Sequence, residues 1–330
     1  EFDLAGHVNS THVMGRMMWA AIAGHDRARF ALHFYALSDG DDAWTAKFRG
    51  VADRFERVGH LDENAAAALI ADDDLDLLVD LCTHTRGARP GILARKPARV
   101  QVTHVASAGC VGLAAVDFKL TDRRADVPAS QADQLETLLP MDACVYPFDR
   151  IAEAAPSAVP TRGALGLPAD AFVLAVFVTP LKLSRRCLKL WRDVLERIPR
   201  AWLAFSPLEP ALRGSYERLA RAAGLPMERI VFVPAARDAV SNLARYAVVD
   251  AALDPMPFGN VNGVFEPLQA GVPVVTLLGR RHGERSAYSI LAHAGVTGTV
   301  AQSGREYVDI VARLAGDAAF RAGVVAAIRA

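Results

Sequence analysis

The sequence predicts two doubly wound, Rossmann-like α/β domains facing across a cleft. Three observations point there. Strand-length apolar runs alternate with segments of helical period along most of the chain. Its 330 residues, 52% hydrophobic, suffice for two cores. Residues 146–168 hold Pro147, Pro156, Pro160, Gly163, Gly166 and Pro168, show little periodicity, and divide the pattern. The expected domains are 1–150 and 151–330.

In the first half, residues 13–22 read as a helix capped by Ser10 or Thr11, and residues 30–37 as a strand. An Ala-rich helix over 62–72 follows, with Asp62 as its cap. Residues 75–81, 99–105 and 116–120 read as strands. Near-continuous apolar strands of this kind suit a parallel sheet covered on both faces. The second half alternates more regularly. Strands are expected at 172–178, 201–205, 230–233, 248–253 and 272–277. Helices are expected at 185–198, 213–223, 238–246, from about 262, and at 284–293.

Lys plus Arg and Asp plus Glu are both 37, so the formal net charge is zero. That balance argues against nucleic acid as a partner. No apolar run is long enough to span a membrane, and no signal peptide is evident. Cys82, Cys110, Cys144 and Cys187 have neither metal-knuckle nor disulfide-framework spacing, so a reduced, cytoplasmic setting is expected. The chain opens at Glu1 and stops on a helix-like pattern at Ala330, as expected of a piece of a longer protein.

In doubly wound sheets, ligands bind beyond the carboxyl ends of the strands, so residues just past each strand are the candidates. Residues 254–263 (Asp-Pro-Met-Pro-Phe-Gly-Asn-Val-Asn-Gly) join a strand to a helix start. Gly259 and Gly263 permit close backbone approach, Asn260 or Asn262 can cap the helix, and the helix amino terminus attracts phosphate. Glu266, one turn on, suits a ribose hydroxyl. Composition alone also fits an ordinary strand–turn–helix link with a first-turn acid. Lys182 follows the 172–178 strand and suits a diphosphate; a solvated surface cation is the plain alternative. Past the 75–81 strand, Thr83, His84, Thr85, Arg86 and Arg89 form a polar lip, with His104 past the next strand. His7 and His12 lie on an amino-terminal polar loop and are acid–base candidates. No dinucleotide fingerprint, Walker loop, nucleophile elbow or metal-ligand spacing is present.

Read in order, these segments resemble the catalytic region of the O-GlcNAc transferase and SPINDLY group, glycosyltransferase family 41. Residues 77–89 and 94–101, Thr11-His12-Val13-Met14, Leu181-Lys182-Leu183, residues 242–246 and residues 271–276 carry the likeness over about residues 6–325. Residues 257–263 (Pro-Phe-Gly-Asn-Val-Asn-Gly) are similar to the soluble bacterial adhesin branch, which glucosylates Asn in Asn-x-Ser/Thr. The O-GlcNAc transferase branch has a His-Thr-Thr element there. Two departures stand out. Residues 106–112 (Ala-Ser-Ala-Gly-Cys-Val-Gly) replace a Gly-Tyr/His-Pro-Gly/Ala-Thr loop, and Asn242 replaces a usual His.

The resemblance implies a GT-B fold and an inverting, metal-independent transfer. A hexose or N-acetylhexosamine would pass from a UDP-sugar to a protein or peptide side chain, Asn in a sequon or Ser/Thr. No cofactor is expected. Lys182 falls at the donor-phosphate lysine, with Asn260, Asn262, Gly263, Glu266 and Asn242 on the donor side. His84, Arg86, Arg89 and His104 are expected to line the acceptor side of the cleft. His12, His84 and His104 compete for the general base, with His12 favoured by resemblance. A non-catalytic nucleotide-sugar binder and a transferase acting on a small molecule or lipid-linked glycan are the alternatives.

Overall fold

The computed structural model describes residues 2–6, 13–85, 87–104, 108–152, 154–207, 209–236 and 238–330. They form two compact units, residues 1–149 and 150–330. Each is built on one parallel sheet.

The first unit runs β1 (Phe2–Gly6), α1 (Val13–Ala23), β2 (Leu32–Ala36), α2 (Ala43–Val51), β3 (Arg54–Arg57), α3 (Glu63–Ala71), β4 (Leu77–Asp80), α4 (Pro90–Ala94), β5 (Val100–Thr103), β6 (Phe118–Asp122) and β7 (Thr137–Met141). Its strand order is β3-β2-β1-β4-β5-β6-β7. Local chemistry sets the helix starts. The Asp42 carboxylate accepts from the Trp44 and Thr45 N–H groups, and Asp62 accepts from Ala65 N, as expected for a cap. The core under this sheet joins Tyr35, Val58, Ala66, Ile70, Leu78, Ile92 and Val116.

The second unit runs β8 (Phe172–Val176), α5 (Arg185–Arg197), β9 (Ala201–Phe205), α6 (Arg213–Ala222), β10 (Ile230–Phe232), α7 (Ala239–Ala244), β11 (Ala251–Leu253), α8 (Asn262–Gln269), β12 (Val274–Leu277), α9 (His282–His293), β13 (Val300–Ala301), α10 (Gly304–Gly316) and α11 (Ala318–Arg329). The order is β10-β9-β8-β11-β12-β13. Every residue of β8 is buried, which explains its unbroken Phe-Val-Leu-Ala-Val run. Helix α5 buries Cys187, Leu188, Leu190, Trp191, Val194 and Leu195, one helical stripe, and Trp191 Nε1 donates to the Tyr307 hydroxyl of α10 at 3.3 Å.

The order of each sheet reverses at one point. In the first unit the reversal lies between β1 and β4, in the second between β8 and β11. At such a point neighbouring connections leave to opposite faces and open a crevice beyond the strand ends. Lys182 and the 254–260 loop follow β8 and β11 in the second unit. In the first, residues 82–89 follow β4.

Several elements were not predicted: β1, α2, β3, α4, β7, β13, α10 and α11. The helix expected over 238–246 stops at Ala244 and tightens into a 3₁₀ turn, Arg245–Val248.

Candidate functional site

The second unit gathers a charged cluster at its strand reversal. The chain leaves β8 through a 3₁₀ turn, Pro180–Lys182, before Ser184 caps α5 by accepting from Cys187 N. This turn leaves Leu181 97% exposed and aims Lys182 at the loop after β11. Lys182 Nζ donates to Gly259 O at 2.7 Å and to Asn260 Oδ1 at 2.8 Å, and lies 4.5 Å from the centre of the Phe258 ring. An ammonium has three N–H bonds. Two of them are taken by these acceptors among the described residues. Burial lowers the pKa of this amine to about 8, and the Asp254 carboxylate opposes that shift.

Asp254 organises the loop. Its Oδ1 accepts from Asn260 N at 2.8 Å and its Oδ2 from the Thr276 hydroxyl at 2.8 Å. Burial raises its pKa to about 6, against these two hydrogen bonds and the pull of Lys182. The Ser184 hydroxyl donates to Met256 O at 2.6 Å, tying the β8 turn to the same loop.

Two readings of this loop need correction. Neither Asn260 nor Asn262 caps α8. The cap residue is Val261, with no side-chain capping bond, because Asn260 is turned toward Lys182. Helix α8 therefore starts uncapped, and the first-turn N–H groups of Asn262 and Gly263 have no intrahelical partner. Gly263 serves a nearer neighbour than a ligand. A Cβ there would lie 2.6 Å from Asn260 Nδ2, so the glycine makes room for the amide that holds Lys182.

Beside this loop, Arg245 is buried and held by Ser206 Oγ at 2.6 Å, by its own turn at Asn242 O, and against the Phe177 ring. Its guanidinium lies 3.9 Å from the Glu266 carboxylate. The Asn242 and Asn262 amide oxygens are buried without a hydrogen-bond partner among the described residues. An unsatisfied buried amide at an uncapped helix start, as at Asn262, suits a polar ligand. Asp254, Ser184 and Arg245 were missed from sequence. The signal for Asp254 was present: it is the first charged residue after an apolar strand at the reversal.

The first unit's polar lip is arranged differently. Asp80, at the end of β4, is buried and accepts from Cys82 N at 3.0 Å and Thr83 N at 2.9 Å. Desolvation raises it to about 6, against those two bonds and the nearby His84. Thr83 has φ +44° and a buried hydroxyl without a partner among the described residues. His84 is exposed, with Nε2 3.1 Å from Cys110 O. Arg89, expected to meet a ligand, donates instead to Val58 O and Leu61 O at 2.8 and 2.7 Å, and so ties down the segment before α3. His104 is buried with Nε2 3.0 Å from Val145 O, and burial lowers its pKa to about 4. So low a pKa makes it a weak base. His7, His12 and Arg86 lie outside the described residues, as do residues 106 and 107 of the departing loop.

The glycosyl transferase family 41 model matches residues 3–146 and 150–330. The probable UDP-N-acetylglucosamine–peptide N-acetylglucosaminyltransferase SPINDLY of Arabidopsis thaliana is 28% identical over 316 residues, 93% of this chain and 34% of its own length. The probable enzyme SEC of the same plant is 28% identical over 322 residues, 94% of this chain and 32% of its own. The chain thus spans about one third of the length of these curated relatives. Among solved structures, a mutant O-GlcNAc transferase from Thermobaculum terrenum superposes with a TM-score of 0.90 at 27% identity, covering 99% of this chain and 62% of that one. Anabaena HepE, solved with UDP and glucose, gives 0.60 at 15% identity over 99% of this chain and 93% of its own, a likeness of fold. The expected GT-B class holds.

Proposed function

The chain belongs to glycosyl transferase family 41, and from that premise we propose that it transfers a hexose or N-acetylhexosamine from a UDP-sugar to a protein side chain, inverting the anomeric centre without a metal ion. The second unit binds the nucleotide sugar, and the first faces the acceptor.

The observation that carries this reading is Lys182. It is a partly desolvated ammonium that gives two N–H bonds to described residues, and the loop that accepts them leads into an uncapped helix start after the strand reversal. In the transfer, the acceptor oxygen or nitrogen attacks C1 of the sugar. The bond from C1 to the β-phosphate oxygen breaks, and its electron pair stays on the departing UDP. The acceptor proton passes to a base, for which His12 is the candidate by resemblance and His84 by exposure. Charge grows on the β-phosphate as the bond breaks, so an ammonium and two backbone N–H groups fixed there stabilise the transition state. Lys182 and the backbone N–H groups of Asn262 and Gly263 are the candidates. Glu266, fixed by Arg245, is the candidate for a ribose hydroxyl, and Asn242 for a second donor contact.

Among the described residues no helix is long and apolar enough to cross a membrane, and the four cysteines are unbridged; both suit a cytoplasmic setting. For the acceptor, residues 257–263 support Asn by resemblance, and the SPINDLY and SEC relatives, named as peptide transferases, support a peptide.

Mass spectrometry of Ser/Thr and Asn-x-Ser/Thr peptides incubated with UDP-sugars, with and without EDTA, tests the reading. A sugar-sized mass gain insensitive to EDTA is expected. UDP binding with no transfer to any peptide would overturn it in favour of a nucleotide-sugar binder.

A further inference from the structure

Resting on that reading of Lys182, we propose that Asp254 and Asn260 are its positioning residues, acting on the ammonium rather than on the donor. Two contacts and the space left by two glycines carry this. Asn260 presents Oδ1 to Lys182 Nζ at 2.8 Å, so its side chain acts on the lysine. Asp254 holds Asn260 N at 2.8 Å and thereby sets where that amide and Gly259 O sit. Gly263 and Gly259 leave room for the arrangement. A Cβ on Gly263 would meet Asn260 Nδ2 at 2.6 Å, and one on Gly259 would meet Gly283 O at 2.9 Å and Asp254 Oδ2 at 3.0 Å. The chain thus fixes two of the three ammonium N–H directions before any ligand arrives.

Charge follows the same geometry. Lys182 carries its positive charge in a desolvated place, and Asp254 is the acidic group that acts on it. Asp254 in turn is faced by Lys182 from the β8 turn, by the Cys187 thiol of α5 and by the Tyr307 hydroxyl of α10. Burial pushes both of the latter well above neutral pH, so they are uncharged. The balance between burial and one carboxylate therefore decides whether Lys182 is charged at working pH.

The test reads the lysine directly. The Lys182 ε-carbon, assigned with Lys182→Arg, is followed by NMR through a pH titration without nucleotide, in the parent chain, Asp254→Asn and Asn260→Ala. Each variant removes a group that favours the ammonium, so its midpoint should fall below the parent's by about half a unit or more. UDP affinity at pH 7.5, by calorimetry, should fall about tenfold, the usual effect of losing one charged hydrogen bond. An unchanged midpoint in a folded variant overturns the proposal. If Asp254→Asn does not fold, Asn260→Ala gives the same decision. The titration needs no ligand, so it stands apart from the functional reading, which fails instead if the parent chain does not bind UDP.

Discussion

Asp80 and Asp254 hold matching places in the two sheets. Each stands at the carboxyl end of a strand beside the reversal, is buried, is pushed up to about 6 by desolvation, and accepts backbone N–H bonds from the loop that follows. They differ in their neighbours. Asp80 shapes a turn whose hydroxyl at Thr83 is buried and whose basic neighbour is the exposed His84. Asp254 shapes a loop that grips a half-buried lysine. A strand-end carboxylate by itself is a device for building a turn. Only when the adjoining strand delivers a desolvated cation does the same device organise charge for a ligand.

The largest expected effect separates the two loops most sharply. Lys182→Ala should lower turnover by on the order of 10²–10³, as for a lost oxyanion donor, with a much smaller change in donor KM. Steady-state kinetics, with melting curves to confirm folding, measure it. Lys182→Arg should rescue in part, because a guanidinium keeps the charge but not the shape. Parent turnover in the alanine variant would leave the second loop no different in kind from the first.

Gly263→Val comes next. Its side chain would displace the Asn260 amide, so UDP affinity should fall about tenfold or more while the fold persists. A folded variant with parent-like calorimetry would sever the glycine from the lysine.

A third effect appears in pH. Lys182 is charged below about 8 and neutral above it. The kcat/KM profile should therefore decline as pH rises through about 8, approaching tenfold per unit, and Lys182→Arg should remove that limb. An identical limb in both would assign it to another group.

The smallest effect belongs to the first loop. Asp80→Asn keeps at most one of the two backbone bonds, a loss of about 1 kcal/mol, but also removes a buried charge, so stability near neutral pH should fall by no more than about 1 kcal/mol, with UDP affinity within about twofold. The parent also has a stability slope to lose. Asp80 titrates at about 6 when folded and near 3.8 when unfolded. Between those values the folded state binds more protons, so this group makes stability fall as pH rises from about 4 to 6. Asp80→Asn should flatten that part of the melting-temperature profile. An affinity loss matching that of Gly263→Val would erase the contrast.

How much of this was legible depends on burial. The central strands of the second sheet announced themselves because both faces are covered: Phe-Val-Leu-Ala-Val has no polar residue to blur the pattern. The edge strands of the first sheet did not. β3 is Arg-Phe-Glu-Arg, and β7 contains Pro140 with Leu139 part-exposed, features that suit an edge open to solvent. At the site, Lys182 was visible from its place after a strand. Asn260 was taken for a helix cap because sequence cannot say which way a short amide turns. Arg89 read as a ligand for anions, yet its guanidinium is turned to Val58 O and Leu61 O, 31 and 28 residues back. That is a tertiary choice no local pattern reveals.

The central claim is that the donor's diphosphate rests on the loops after β8 and β11. Hydrogen exchange of the whole chain, with and without UDP and with EDTA present, tests it most directly. The account predicts slowed exchange in residues 179–184 and 258–266, with little change in residues 80–89. Protection confined to residues 80–89, or none anywhere at saturating UDP, would contradict it.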